Sequence, residues 1–437
     1  MRQKVEFERE RNNSLNSIAI VLLLIISFFI GFKQLNYAFL LLQITAILCV
    51  LVSEKKIDRH QQMMPVVALL CIIIIICNRN ARLLHGSFSF LLDLRICTGF
   101  LIYFFICKRN NWYNALIKAL IVLGVFYSVT TIYLYLFPDV YYRYVVPIFG
   151  NGMVNLVKRG YAVGFSRHHS TTAMYHAITI GIPACALVRR DYVNGKKKII
   201  MILFVTILYI GVLLTGKRAH SIFIPICIMV CYYFFSQNRK INTQAKILGG
   251  ILLFLGIFYI SIQLIPSLNN VFIRFQSKIE NDDITSGRDK LLKDCLYLFS
   301  DNPVIGKGWG TFMYYTQSGM ENAHNVYAQL IAENGLLAIP FFVFIFGSVC
   351  HTGKAIHIIV DEKIEHDKSF LICLIFSLYI QVFFVLYCFT GNPLYDCQVV
   401  FPYILGCAIG ENAYRITINK KQSLTKPTLW KYIKDAG

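Results

Sequence analysis

Long apolar runs recur a dozen times along this chain, and they limit what it can fold into more than any other feature. A run that must cross a hydrocarbon core about 30 Å thick needs about twenty residues at 1.5 Å per residue as a helix. In lipid each backbone N–H and C=O must be paired within the protein, which selects helices or closed barrels. Runs of this length select helices. The predicted spans are Leu15–Phe32, Leu35–Val52, Met63–Cys77, Phe88–Cys107, Ala115–Phe137, Thr171–Val188, Ile199–Thr215, Ser221–Phe235, Ile247–Ile265, Leu336–Val349, Phe370–Phe389 and Val399–Gly410. Met63–Cys77 covers only about 22 Å at that rise, so its ends are expected to extend further. The expected fold is all-α, a polytopic membrane protein of about twelve transmembrane helices. Composition agrees: 15% of the 437 residues are charged, against about a quarter in soluble domains. The first run is long and no small-residue cleavage site follows it, so it reads as a retained span rather than a signal peptide.

The formal net charge of +20 does not point to nucleic acid, because no nucleic-acid module is recognisable and cytoplasmic loops of membrane proteins demand positive charge. Basic residues orient the spans. Arg2, Lys4, Arg9 and Arg11, then Arg189, Arg190 and Lys196 to Lys198, and finally the Lys420–Lys434 tail, fall on one side. Both termini are therefore expected in the cytoplasm. The short outward loops carry few basic residues, Lys217 and Arg218 among them. Most of the fourteen cysteines lie within apolar runs and no Cys-x-x-Cys occurs. They read as small core hydrophobes, with neither a metal site nor a disulfide framework expected. Asp93 and Arg95 fall inside a span, where a charge demands a partner. Two residues apart, they face different ways, and Arg95 either joins the site or braces a neighbouring span.

Three parts are expected: residues 1–265 with nine spans, an outward segment 266–334, and residues 335–437 with three spans and a cytoplasmic tail. A second long outward segment is Pro138–Ser170. Within the large one, Ser286 precedes Gly287-Arg288-Asp289 as a possible N-cap. Leu291, Leu292, Cys295, Leu296, Leu298 and Phe299 then give a broad apolar helix face, which Asp301-Asn302-Pro303 ends. The densest polar cluster follows, Ala323-His324-Asn325-Val326-Tyr327-Ala328-Gln329-Leu330-Ile331-Ala332-Glu333-Asn334-Gly335. Asn325, Gln329 and Glu333 recur at steps of four, so a helix begun at His324 puts them on one face. Asn334-Gly335 is expected to end it. His324 is a proton acceptor of ordinary pKa near 6.5.

The string HNVYAQLIAENG resembles the signature of the O-antigen ligase and Wzy-type polysaccharide polymerase family, matching at His324, Asn325, Tyr327, Gln329, Glu333 and Gly335. Gly287-Arg288 with Asn302 to Gly310 is similar to the family's arginine-led helix and glycine-rich turn. Lys158 to Phe165, which holds Arg159, resembles its basic stretch before a span. Leu214 to Ser221 resembles a short turn of the family, with Lys217 and Ala219 in place of commoner residues. The resemblance covers Arg159 to about Phe346. It implies a metal-free membrane glycosyltransferase of C-type fold that moves glycan from undecaprenyl pyrophosphate to an acceptor hydroxyl at the outer face of the cytoplasmic (inner) membrane of a bacterium. Cofactors are not expected. The implied partners are undecaprenyl-pyrophosphate-linked glycans, the lipid bilayer and a chain-length regulator, with no nucleic acid.

The residue types suit that chemistry by themselves. A glycosyl pyrophosphate already carries its leaving group, so two tasks remain: removing the acceptor proton and stabilising charge on the pyrophosphate. His324 suits the first, with Asn325, Tyr327, Gln329 and Glu333 in support. Arg159, Lys217, Arg218 and Arg288, all in outward loops, suit the second, because guanidinium binds phosphate bidentately. Each has a plainer reading: His324 as a polar residue at a helix start, Glu333 as a cap, Arg288 as a partner of Asp289. Gly306-Lys307-Gly308-Trp309-Gly310 lacks P-loop spacing and reads as a tight turn, with Trp309 available to stack on a sugar. A polymerase of lipid-linked repeats, inverting at the anomeric carbon, is the expected activity. A ligase that delivers finished glycan to an acceptor such as lipid A-core shares the same motifs. A flippase of lipid-linked sugars is the rival from another class; it lacks the internal repeat many transporters show.

Overall fold

The computed structural model describes residues 2–53, 64–85, 87–188, 194–236, 287–316, 322–362 and 366–425, with isolated positions between 249 and 273. Most of the expected ninth span, Ile247–Ile265, and the Ser286 cap lie outside the described residues. The long helices are α1 (Arg2–Phe29), α2 (Asn36–Ser53), α3 (Met64–His85), α4 (Ser87–Ile106), α5 (Tyr113–Leu136), α6 (His169–Val188), α7 (Lys196–Leu214) and α8 (Arg218–Phe235). They are followed by α9 (Arg288–Asp301), α10 (Val326–Asn334), α11 (Ile339–Asp361), α12 (Lys368–Cys388) and α13 (Cys397–Thr425). The protein is an all-α polytopic membrane protein. Among the described residues eight helical stretches are long and apolar enough to cross a membrane. Pro65–Cys77 and Leu94–Ile106 are shorter apolar segments within α3 and α4.

Burial sorts these helices into a centre and a ring. α6 and α12 are apolar around most of their circumference and largely buried, as expected of helices with neighbours on every side. α6 packs on α5, α7, α8 and α12, and α13 packs on α4, α11 and α12. α2 and α7 instead turn leucines and isoleucines outward, the surface a bilayer would cover. Charges inside the bundle find partners. Arg95 is buried and its Nη2 reaches the Asn36 carbonyl at 3.5 Å, so it braces the start of α2. His351 Nδ1 lies 2.7 Å from Glu411 Oε2 across α11 and α13.

Alternating helix direction collects the turns after α1, α3, α5, α7 and α12, together with α9 and α10, at one end of the bundle. Hydrogen bonds tie these turns together: Ala162 N–H to Leu214 O (2.9 Å), Trp309 N–H to Cys77 O (3.2 Å) and Gln34 Nε2 to Ile148 O (3.3 Å). The start of α1 and the end of α13 lie at the opposite end.

Candidate active site

α10 is built differently from the expectation. It starts at Val326, with Asn325 as its N-cap: the Asn325 side chain accepts from Ala328 N–H at 3.1 Å. His324 precedes the helix with φ of 55°, a left-handed conformation strained for any side chain but tolerated by histidine better than by β-branched residues. The cap removes both His324 and Asn325 from the expected polar stripe and lifts the exposed His324 ring clear of the helix. Gly335, at φ of 56°, ends α10 as expected. A Cβ there would lie 2.4 Å from the Pro303 carbonyl oxygen, and one on Gly306 would lie 2.3 Å from the Glu333 carbonyl carbon. Two glycines thus let the 302–310 turn press against the end of α10.

Gln329 and Glu333 do share one face, and they are the bolts of the assembly. Gln329 Oε1 accepts from Ala323 N–H (3.0 Å) and from Asn392 Nδ2, while its Nε2 donates to Glu333 Oε1 (3.0 Å). Glu333, fully buried, also accepts from Phe312 N–H (3.1 Å), Gly310 N–H (2.9 Å) and Tyr395 OH (2.7 Å). Four donors from three parts of the chain therefore converge on one carboxyl group. Tyr327 turns the other way; its hydroxyl donates to Val385 O at 3.1 Å and its ring meets Phe389. Trp309 is buried and stacked between Tyr395 and Phe341, at 4.6 and 5.4 Å between ring centroids, so no face is left for a sugar.

α9 starts at Arg288 behind Gly287 in the left-handed conformation. Its apolar face is narrower than expected. Leu291, Cys295 and Leu298 are buried against Phe312, Ala323 and Ala332, while Leu292 and Leu296 stay exposed. This packing holds α9 beside α10 and brings Arg288 to the His324 loop.

Three of the four expected basic residues come together there. Lys217, half-buried in the turn between α7 and α8, is brought down to about 8 by burial and by the Arg288 and Arg218 charges. The His324 imidazole lies below its ordinary value, through partial desolvation first and then the Arg288 and Lys217 charges. It is therefore held in the neutral form that accepts a proton. His168 is pushed down to about 4 by burial and by its neighbours His169, Lys217 and Arg167. Arg159 follows the short helix Val154–Lys158, exposed, two residues from Tyr161.

Sequence reasoning missed the turn Asn392-Pro393-Leu394-Tyr395-Asp396. Asn392 and Tyr395 reach Gln329 and Glu333 across about sixty residues of chain. An Asn-Pro pair between two apolar runs was the available signal, and it marks a turn without saying what the turn touches. Among the described residues no group of three His, Cys, Asp or Glu side chains is placed to hold a metal ion.

Residues 201–343 match the family model described as O-antigen ligase. This domain, running from α7 into α11 over about a third of the chain, supports the resemblance to the O-antigen ligase and Wzy-type family. The match supports a membrane glycan-processing enzyme of the ligase or polymerase type. No curated protein matches the chain at significant similarity. The matched stretch holds Lys217, Arg218, Arg288 and His324, whereas Arg159, Asn392 and Tyr395 lie outside it.

Proposed function

We propose that the protein is a polymerase of undecaprenyl-pyrophosphate-linked oligosaccharide repeats of O-antigen, capsule or exopolysaccharide type. It works at the outer face of the cytoplasmic membrane, with both termini inside and the 266–334 segment supplying the active-site motif. His324 takes the proton from an acceptor hydroxyl as that oxygen attacks the anomeric carbon of the donor. The bond from that carbon to the pyrophosphate oxygen breaks, the configuration inverts, and undecaprenyl pyrophosphate leaves. Lys217, Arg218 and Arg288 receive the charge that builds on the pyrophosphate, with Arg159 at the edge of the approach. The donor brings its own leaving group, so no metal is required.

The observation that carries this reading is the gathering of Lys217 and Arg288 around a neutral, exposed histidine at one end of the bundle. Positive groups gathered closely enough to act on one another favour an anionic substrate. A second reading, a ligase passing finished glycan to a separate acceptor, is favoured by the description of the matched family model.

The test uses purified protein with one lipid-linked repeat unit and gel separation of the glycans. A ladder that vanishes in His324→Gly supports the polymerase; glycine suits the 55° φ. Transfer only after a lipid A-core acceptor is added makes it a ligase. A His324→Gly protein that forms no glycan bond yet still translocates lipid-linked sugar makes it a flippase.

A further inference from the structure

A cavity of about 350 Å³ opens at the site end of the bundle, between the end of α5 and the segment 157–164. Leu134, Pro138, Tyr141 and Val157 give it apolar walls, and Lys158 and Tyr161 its polar ones. None of its lining residues is acidic. Tyr161 is buried to 3% exposure, and its hydroxyl has no hydrogen-bond partner. A buried polar group left unpaired is costly, so this hydroxyl marks a place where a ligand gains by entering. Lys158 is exposed beside it.

The cavity also has a defined relation to the lipid-facing surface. Val122, Val125, Val129, Tyr133 and Leu136 are exposed at helical spacing along α5. Leu136 is both the last of this stripe and part of the cavity lining. An apolar stripe that ends in a pocket with a cationic rim and an orphan hydroxyl has the layout of a lipid with its head turned inward.

We propose that this cavity binds an anionic lipid phosphate, the head between Lys158 and the Tyr161 hydroxyl and the first hydrocarbon segment along Leu134, Pro138 and Val157. The site adjoins the basic turn that holds Arg218, which interacts electrostatically with Tyr161. The proposal rests on the membrane placement of the bundle and not on glycosyl transfer, so its failure leaves that reading standing.

Native mass spectrometry of the full-length protein, titrated with phosphatidylglycerol or phosphatidylcholine, tests it. Phosphatidylglycerol is expected to bind about tenfold tighter than phosphatidylcholine, and Tyr161→Phe and Lys158→Ala each to weaken it by about tenfold. Val157→Trp, which fills the cavity, removes the bound lipid. Lys158 is exposed, so its variant folds, and melting curves check the other two. Equal affinity for the two lipids, or phosphatidylglycerol affinity unchanged in the Tyr161→Phe and Lys158→Ala proteins, overturns the proposal. Undecaprenyl phosphate as competitor names the source: displacement of phosphatidylglycerol assigns the site to the prenyl carrier, and its persistence assigns it to the bilayer.

Discussion

Below His324, every side-chain oxygen and nitrogen of Gln329 and Glu333 is engaged by a partner. Around it, the Arg288 and Arg218 charges add to burial in lowering the proton affinity of Lys217. One region satisfies its polar groups within the protein, and the other gathers positive charge. On the proposed reading, the contrast keeps a catalytic surface ready: the fixed floor holds the rim's charges in place, so that a pyrophosphate would meet charges already oriented towards it. The same contrast separates two kinds of residue, those whose removal stops chemistry and those whose removal loosens the frame.

Four substitutions probe that division. The largest expected effect is on rate: His324→Gly lowers turnover by about 10²–10⁴-fold while the melting temperature stays within about a degree, because an exposed ring supports nothing. A large fall in melting temperature would place His324 in the floor instead. Glu333→Ala acts in the opposite sense. It strands two backbone N–H groups and two side-chain donors, at about 1–3 kcal/mol for each one left unpaired, so thermal unfolding shifts markedly downward and turnover falls with it. Retained stability with lost activity would move Glu333 into the chemistry.

Smaller effects follow from the turn between α12 and α13. Tyr395→Phe and Asn392→Ala each remove one bond to the floor, worth about 1 kcal/mol, and lower turnover by about tenfold with little change in substrate affinity. Unaltered turnover in both would show that Gln329 and Glu333 hold the His324 loop unaided. The smallest effect is on pH dependence. His324, depressed below its ordinary value, must be neutral to act, so kcat/KM falls on the acid side below about pH 6.5. Lys217, at about 8, must be charged, so kcat/KM also falls above about pH 8. Arg288→Gln removes a positive neighbour from both groups and moves both limbs to higher pH by less than about one unit. Burial, the larger cause for each, remains. An unmoved profile would mean that Arg288 does not act on these groups in solution.

Much of the frame is legible along the chain. Apolar runs of membrane-spanning length announce α5, α6, α7 and α12 with ends close to the expected ones, whereas α11 runs on to Asp361, past the expected Val349. Other ends are not legible. α13 continues to Thr425, well past Gly410, because a helix crosses the membrane surface without any backbone reason to stop. The His324 motif was legible too, as a helix with Gln329 and Glu333 on one face. Its start was misplaced because Asn325 as an N-cap competes with Asn325 as a helical residue, and the cap satisfies an orphan backbone donor. The stacking of Trp309 was also beyond the sequence, since Phe341 and Tyr395 lie far along the chain.

Sequence by itself determined the solvent of this protein, its helical class and the residue types gathered in the 323–335 segment. These follow from short-range rules: backbone pairing in lipid, periodicity and capping act within a few residues. Tertiary structure decided which turn closes over Glu333 and that Lys217 and Arg288 act on His324. Those outcomes depend on helix packing across hundreds of residues, where a hydrogen bond or a charge is set by distance in space and not by spacing in the chain.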